Sequence, residues 1–420
     1  MQTIRYMGSK RKLASIIYQL INNEIQLNGD DYFFDLFAGT NSVAEVFKND
    51  CPIVTNDIQE YSYQIALALI KNKDTKIDSS DLKMLNHIAL DKFHSLSNRF
   101  DIYSEIENRL ISEKKINEYS EFLKSFPHVN NANIIKNHEL SYLFTNNALQ
   151  SYKEKKEYLL FTTYFNNTYF SLRQCLHIDS LRFAIDNITD GWHNDNTMEI
   201  KRSIYLTCLM SALSISVNST SHFAQYHKLN KKNLNWIAER RKKDIFQIFN
   251  HKLNEFNDSL IPTKFTNICL KKDYKLVFKE NEDLLNKTKL VYIDPPYSCA
   301  PYSRFYHILE TLVKYDYPES LYDGRYRGDR YVSDFNKKSK VSLEFKSLLE
   351  NLINYKLDVL FSYPLNNDLN YNAESLLELC NYYYKPSNIV VKKIPHKRQA
   401  FGNKNAKNGQ TEYLILCKNI

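Results

Sequence analysis

The sequence predicts an α/β fold: a mostly parallel, doubly wound sheet with helices on both faces, interrupted by a long and mostly helical insertion. Three observations predict it. Short apolar runs alternate with helical patterns over residues 1–73. The same alternation returns over residues 262–420. Between them, residues 74–261 are helical in pattern and rich in charge and aromatics, and no ordinary connection is that long. The expected division is therefore a split core, 1–73 and 262–420, around an inserted domain, 74–261.

The elements follow in order. Ser9–Asn23 places Leu13, Ile16, Ile17, Leu20 and Ile21 at helical spacing. Tyr32–Phe37 is an apolar run ending in Ala38-Gly39-Thr40, so a strand enters a turn. Ser42–Phe47 reads as a helix, Pro52–Thr55 as a second strand ending at Asn56-Asp57, and Tyr61–Ile70 as the next helix. Beyond the insertion, Asn267–Leu270, Leu290–Ile293, Asp358–Tyr363, Asn388–Ile394 and Thr411–Cys417 read as strands, with a helix at Leu343–Tyr355.

Composition narrows the setting. The 420 residues carry a net charge of +8 and are 43% hydrophobic, which suits a globular chain with a polyanionic partner. No apolar run approaches a membrane span of roughly 18 residues. The start, MQTIRYMGSKRKL, has no apolar core behind its charges, so a secretory leader is not expected. Seven scattered cysteines form no CxxC pair, and no HxxxH pair occurs. A reducing cytoplasm, no disulfide framework and no metal are the expectations.

Asp294-Pro295-Pro296-Tyr297 directly follows the apolar strand Leu290–Ile293. Ligands of open α/β sheets sit at the carboxyl ends of strands. Two prolines remove two N–H donors and stiffen the backbone, leaving carbonyls and one carboxylate as a cluster of acceptors beside an aromatic face. A flat ring bearing an exocyclic amine, such as adenine, matches that set. Asp35-Leu36-Phe37-Ala38-Gly39-Thr40 is a strand-to-helix turn whose glycine allows close backbone approach to a ligand, although it lacks GxGxxG. Asp57, ending the next strand, reads either as a helix cap or as a partner for ribose hydroxyls. Arg5-Tyr6-Met7-Gly8-Ser9-Lys10 reads either as an anion-friendly nest or as capping by Ser9.

The ordered set RYMGSK, DLFAGT, ND and DPPY resembles the alpha group of N6-adenine DNA methyltransferases, the Dam-like class. Further matches are Lys272-Asp273-Tyr274 before the DPPY strand, Phe361-Ser362-Tyr363, and Tyr164-Phe165-Asn166-Asn167-Thr168-Tyr169-Phe170. The FAGT turn is less glycine-rich than the family's usual form, and the insertion is longer than in its smallest members.

The resemblance implies a Rossmann-like S-adenosylmethionine-dependent core with an inserted target-recognition domain. Tyr6, Gly8, Ser9, Lys10, Asp35, Phe37, Ala38, Gly39, Thr40, Asp57, Asp273 and Asp294 would hold the cofactor. Asp294, Pro295, Pro296 and Tyr297 would act on a flipped-out adenine in double-stranded DNA. A restriction-modification setting, with a separately encoded endonuclease, follows from the same likeness, as does a bacterial or phage cytoplasm.

Lys228, Lys231, Lys232, Arg240 and Arg241 in the insertion, and Lys397 and Arg398 near the carboxyl end, are expected to meet DNA phosphates. Four other readings stay open: methylation of RNA or of a glutamine side chain, where Asn is usual at position 294; cytosine-N4 methylation, where Ser is usual; a non-enzymatic DNA-binding relative; and a nuclease built on Asp334, Glu344 and Lys346.

Overall fold

The computed structural model describes residues 4–6, 8–131, 135, 138–219, 222–365, 371–396 and 410–419. It divides into two compact units. One, helical, comprises 1–7, 75–260 and 304–330; the other, built on the main sheet, comprises 8–74, 261–303 and 331–420.

Nine strands are present among the described residues: β1 (Tyr32–Asp35), β2 (Ile53–Asn56), β3 (Ile268–Leu270), β4 (Thr288–Ile293), β5 (Ser320–Leu321), β6 (Tyr326–Arg327), β7 (Asp358–Leu365), β8 (Ile389–His396) and β9 (Gln410–Cys417). The main sheet has the order β3-β2-β1-β4-β7-β9-β8. The first five of these run parallel, and β9 runs antiparallel to both β7 and β8. This is the mostly parallel sheet expected from the alternating pattern.

The sheet is buried on both faces, which is why its strands read as unbroken apolar runs. On one face Phe34, Val54, Val291, Ile293, Val359, Phe361 and Ile415 pack with Phe345, Leu348 and Leu352 of the helix Val341–Asn354 and with Leu376 of the helix Ala373–Tyr383. On the other, Phe33 stacks on Phe47 at 4.4 Å, and Tyr18 of the helix Ala14–Glu24 covers Phe47 at 5.1 Å.

Some local expectations shift. The helix expected over Ser42–Phe47 is a single 3-10 turn, Ala44–Phe47, because Gly39 (φ 52°) and Asn41 (φ 60°) hold left-handed backbone just before it. The first helix begins as a 3-10 turn, Lys10–Lys12, before Ala14. The helix Tyr61–Ile70 is an α-helix over Glu60–Ala66 that ends in a π turn, Leu67–Lys71.

In the helical unit, Leu172–Ile188 and Asn196–Ser216 are buried nearly all round. Ser171 and Gln174 form a capping box at the first of them. Segment 304–330 joins this unit through polar ties. Arg182 donates to the carbonyls of Leu312 (2.9 Å) and Val313 (3.1 Å). Asp179 accepts from Phe161 N, Thr162 N and the Tyr315 hydroxyl at 2.8, 2.8 and 2.5 Å. The stretch 164–170 lies in the same core, where Arg325 binds the carbonyls of Tyr164 and Asn166 and the side chain of Asn167.

Candidate active site

Parallel strands bring their carboxyl ends to one edge, and four acidic residues follow those ends: Asp35 closes β1, Asp57 follows β2, Asp273 follows β3 and Asp294 follows β4. Strand β9 is antiparallel, so its beginning reaches the same edge. Register sets Glu412 opposite Pro364 there.

Lys10 ties this edge together. Its ammonium lies 3.0 Å from Asp294 Oδ1 and 3.0 Å from Glu412 Oε1, with the lysine 7% exposed and the carboxylates 17% and 3%. Ser362 Oγ donates to the same Glu412 oxygen at 2.6 Å. Burial alone would lower the Lys10 ammonium; Asp294 and Glu412 outweigh it and hold the group well above its ordinary value. Burial pushes the Asp294 carboxyl up to about 6; Lys10 counters this and Glu412 adds to it.

The ring of Tyr297 sits 5.6 Å from the Lys10 ammonium and meets Tyr363 edge-on at 6.3 Å. Gly8 has φ +78°, and a Cβ there would stand 2.8 Å from the Tyr302 hydroxyl and 2.9 Å from that of Tyr297. That glycine therefore permits both the backbone turn and the approach of the tyrosines. Ser9 caps the short 3-10 turn, accepting from Arg11 N at 3.4 Å.

The glycine turn is locked by its neighbours. Gly39 N donates to Asp57 Oδ2 at 3.0 Å, and Gln59 N to Asp57 Oδ1 at 2.9 Å. Ala38 N donates to the Asn56 carbonyl at 3.0 Å. Ser62 Oγ donates to the Gly39 carbonyl at 2.5 Å, and the hydroxyls of Thr40 and Ser42 share a hydrogen bond of 2.8 Å. Phe37 packs against Tyr274 and Phe335 at 5.3 and 5.7 Å. Asp273 caps the helix Tyr274–Glu280 through Lys275 N (2.9 Å) and accepts from the Tyr331 hydroxyl (2.8 Å). Asp35 is 2% exposed, and its Oδ1 has no hydrogen-bond partner among the described residues. Burial, with Asp294 and Asp57 nearby, raises its carboxyl well above the usual range.

The chain matches the family described as the D12 class of N6 adenine-specific DNA methyltransferases over residues 6–366. It belongs to that family. It is similar to modification methylase LlaI of Lactococcus lactis subsp. lactis, 25% identical over 96% of this chain and 53% of that protein. Modification methylase StsI of Streptococcus sanguinis is 23% identical over 98% of this chain and 51% of its own length. Type II methyltransferase M.FokI of Planomicrobium okeanokoites is 24% identical over 99% and 52%. The chain thus spans about half the length of these relatives.

For this D12-class chain the sheet unit gathers Gly8, Ser9, Lys10, the 35–40 turn, Asp57, Asp273 and the 294–297 loop. Tyr6 belongs to the helical unit, where its ring stacks on Tyr306 at 4.6 Å. Glu412 was not among the residues singled out from sequence. Its signal was present: a lone carboxylate near the start of an apolar strand is costly to bury without a partner.

The basic residues separate. Lys231 and Lys232 are exposed; Lys228 is 79% exposed and pairs with Asp323, itself 80% exposed, at 3.4 Å. Arg240 is half-buried, stacked 4.2 Å over Trp236 and bonded to the Ile215 carbonyl at 3.1 Å. Arg241 corrects the expectation of a phosphate contact. It is buried, with Nη1 2.9 Å from Glu107 and 2.5 Å from the Tyr119 hydroxyl, and Nη2 3.0 Å from the Thr168 carbonyl. A guanidinium so enclosed has no reach to a phosphate. Lys397 and Arg398 lie outside the described residues.

Glu344 accepts from the Tyr274 hydroxyl and pairs with Lys275, and Asp334 is ringed by Lys275, Lys337 and Lys340 at 2.7–3.3 Å. Their charges are neutralised by lysines. Among the described residues no group of three or more His, Cys, Asp or Glu is placed to hold a metal, and no helix is long and apolar enough to cross a membrane.

Proposed function

We propose that this chain transfers the methyl group of S-adenosylmethionine to N6 of an adenine flipped out of double-stranded DNA. The observation that carries the reading is Asp294 at the end of the central strand β4, in a DPPY loop within a chain of the D12 family.

Family membership implies S-adenosylmethionine, and the residues at the strand edge suit it. The buried Asp35 oxygen without a partner suits a cationic donor such as the cofactor's ammonium. The turn held open by Gly39 and braced by Asp57 offers backbone at close range. Phe37, Asp273, Gly8, Ser9 and Lys10 complete the proposed lining. When bound, the cofactor supplies an electrophilic methyl group on a sulfonium centre.

The chain's own residues do the rest. Tyr297 offers a ring face to the flipped base, replacing stacking worth roughly 1–3 kcal/mol. The Asp294 carboxylate and the Pro295 carbonyl accept the two N6–H bonds, drawing the nitrogen lone pair out of conjugation. Pro296 stiffens the loop, and fixed geometry supplies much of the rate. As positive charge develops on nitrogen, Asp294 stabilises it. Lys10 keeps Asp294 ionised and fixed while remaining paired to Glu412.

The helical unit is the proposed target-recognition part, with Lys228, Lys231 and Lys232 meeting phosphates. Work within a restriction-modification system, beside a separately encoded endonuclease in a bacterial cytoplasm, is the proposed setting. The test is incubation of the chain with labelled S-adenosylmethionine and unmethylated or fully methylated DNA. Label should appear as N6-methyladenine in the first substrate only. Label on cytosine, on RNA or on protein would contradict the reading.

A further inference from the structure

Within the helical unit, Arg330 buries its Nε and Nη1 with no hydrogen-bond partner among the described residues. Its guanidinium lies 4.7 Å over the Tyr326 ring, and Arg304 lies 5.5 Å from the same ring. Arg327 holds Asp316 through two contacts, 2.6 and 2.7 Å, and Asp329 through two more of 2.9 Å.

Arg304 and Arg330 line a cavity of about 680 Å³ whose wall includes Tyr226, Tyr322, Tyr326 and Gln225. Asp323, in the same wall, is 80% exposed and pairs with Lys228 at 3.4 Å. The platform is rigid. The Tyr326 hydroxyl donates to the Ala224 carbonyl, and His307, kept neutral by burial, meets its ring edge-on at 4.8 Å. Gly324 in the β5–β6 turn makes room for it: a Cβ there would stand 2.4 Å from that ring. Tyr322, at the same turn, is 73% exposed. Asn230 and Asn233 bond each other's backbone and fix the turn bearing Lys228, Lys231 and Lys232.

Arg330 lines the cavity and two of its donors find no acceptor among the described residues, which suits a ligand that brings acceptors. Aromatic walls add a demand for a flat ligand, which a phosphate does not meet. Guanine presents two acceptors, O6 and N7, on one edge, and arginine is its commonest reader. We infer that this cavity is a base-reading site for the DNA substrate, in which Arg330 donates to the edge of a guanine in the recognition sequence. The inference rests on the proposed methyltransferase activity and adds a specificity-determining residue to it.

The experiment sequences DNA, with detection of N6-methyladenine, from cells expressing wild type, Arg330→Ala or Arg330→Lys. Purified proteins are checked in parallel for the thermal shift produced by S-adenosylmethionine. Wild type should mark a motif containing guanine. Both variants should keep the cofactor shift and accept other bases at one guanine position, losing on the order of 10- to 100-fold discrimination there. An unchanged motif in both variants would overturn the inference. So would a uniform loss of marking that lysine restores, since that describes a phosphate contact. A wild-type motif without guanine would overturn it as well. Wild-type DNA without any N6-methyladenine would instead overturn the activity itself, and this site's role with it.

Discussion

Lys10 holds its ammonium 3.0 Å from Asp294, and the distance from the same nitrogen to Glu412 is also 3.0 Å. One buried cation thus serves two carboxylates that differ in position. Asp294 follows the DPPY strand, whereas Glu412 opens a strand that runs the other way.

A pH dependence follows from that arrangement. Burial pushes Asp294 up to about 6, against the pull of Lys10 and with the help of Glu412. Transfer requires the ionised carboxylate, so the rate should fall as pH drops through about 6. Glu412→Gln removes a charge that opposes ionisation and should move this acidic limb to lower pH. Lys10→Met removes the cation that favours ionisation and should move it to higher pH. Single-turnover pH profiles check both. A limb that stays in place in both variants would contradict the assignment.

Gly8→Ala should strike the site through Tyr297. The backbone is left-handed there, and the new Cβ would press on the hydroxyls of Tyr297 and Tyr302. Destabilisation of more than about 1 kcal/mol is expected. Slower transfer should accompany it, even at saturating cofactor. Thermal unfolding and rate measurements on the same preparation test the pair of effects.

Asp57→Ala should loosen the Gly39 turn, since both carboxylate oxygens brace backbone N–H groups. S-adenosylmethionine affinity should fall by about 1–3 kcal/mol, the cost of leaving polar partners unmet. Calorimetric titration with cofactor measures it directly; unaltered affinity would remove Asp57 from the site.

The basic run of the helical unit should split into two behaviours. Lys231→Ala with Lys232→Ala should leave stability alone, weaken DNA binding on all sequences and flatten its salt dependence. Arg241→Ala should instead cost about 3–5 kcal/mol of stability, because the buried Glu107 carboxylate loses its counter-charge and keeps only the hydrogen bonds from Tyr119 and Leu172 N. Chemical denaturation and salt-dependent DNA binding separate the two.

Much of this was legible in the sequence because local chemistry governed it. Leu290–Ile293 followed by two prolines has few ways to fold except as a buried strand ending in a stiff loop. What stayed hidden depends on distant partners. Segment 304–330 joins the helical unit through Arg182 and Asp179, more than a hundred residues away. Glu412 looked like ordinary strand polarity until the antiparallel register brought it beside Ser362 and Lys10. Arg241 looked like part of a solvated basic run, yet it falls four residues after Ile237 and three after Ala238, on the buried face of its helix. Helical spacing carried that signal; the density of positive charge around it pointed the other way.

The most direct test of the account is single-turnover transfer of labelled methyl to adenine by Asp294→Ala. The carboxylate lies in a strand-end loop rather than in the apolar core, so the fold should survive its loss. DNA affinity, resting mainly on phosphate contacts, should change little. The rate should fall on the order of 100- to 1000-fold or more, because the missing acceptor acts where charge develops. Tyr297→Phe, keeping the ring face, should transfer at nearly the wild-type rate, and Tyr297→Ala should be slow and hold the base weakly. Transfer by Asp294→Ala at close to the wild-type rate, with DNA and cofactor both bound, would contradict the account.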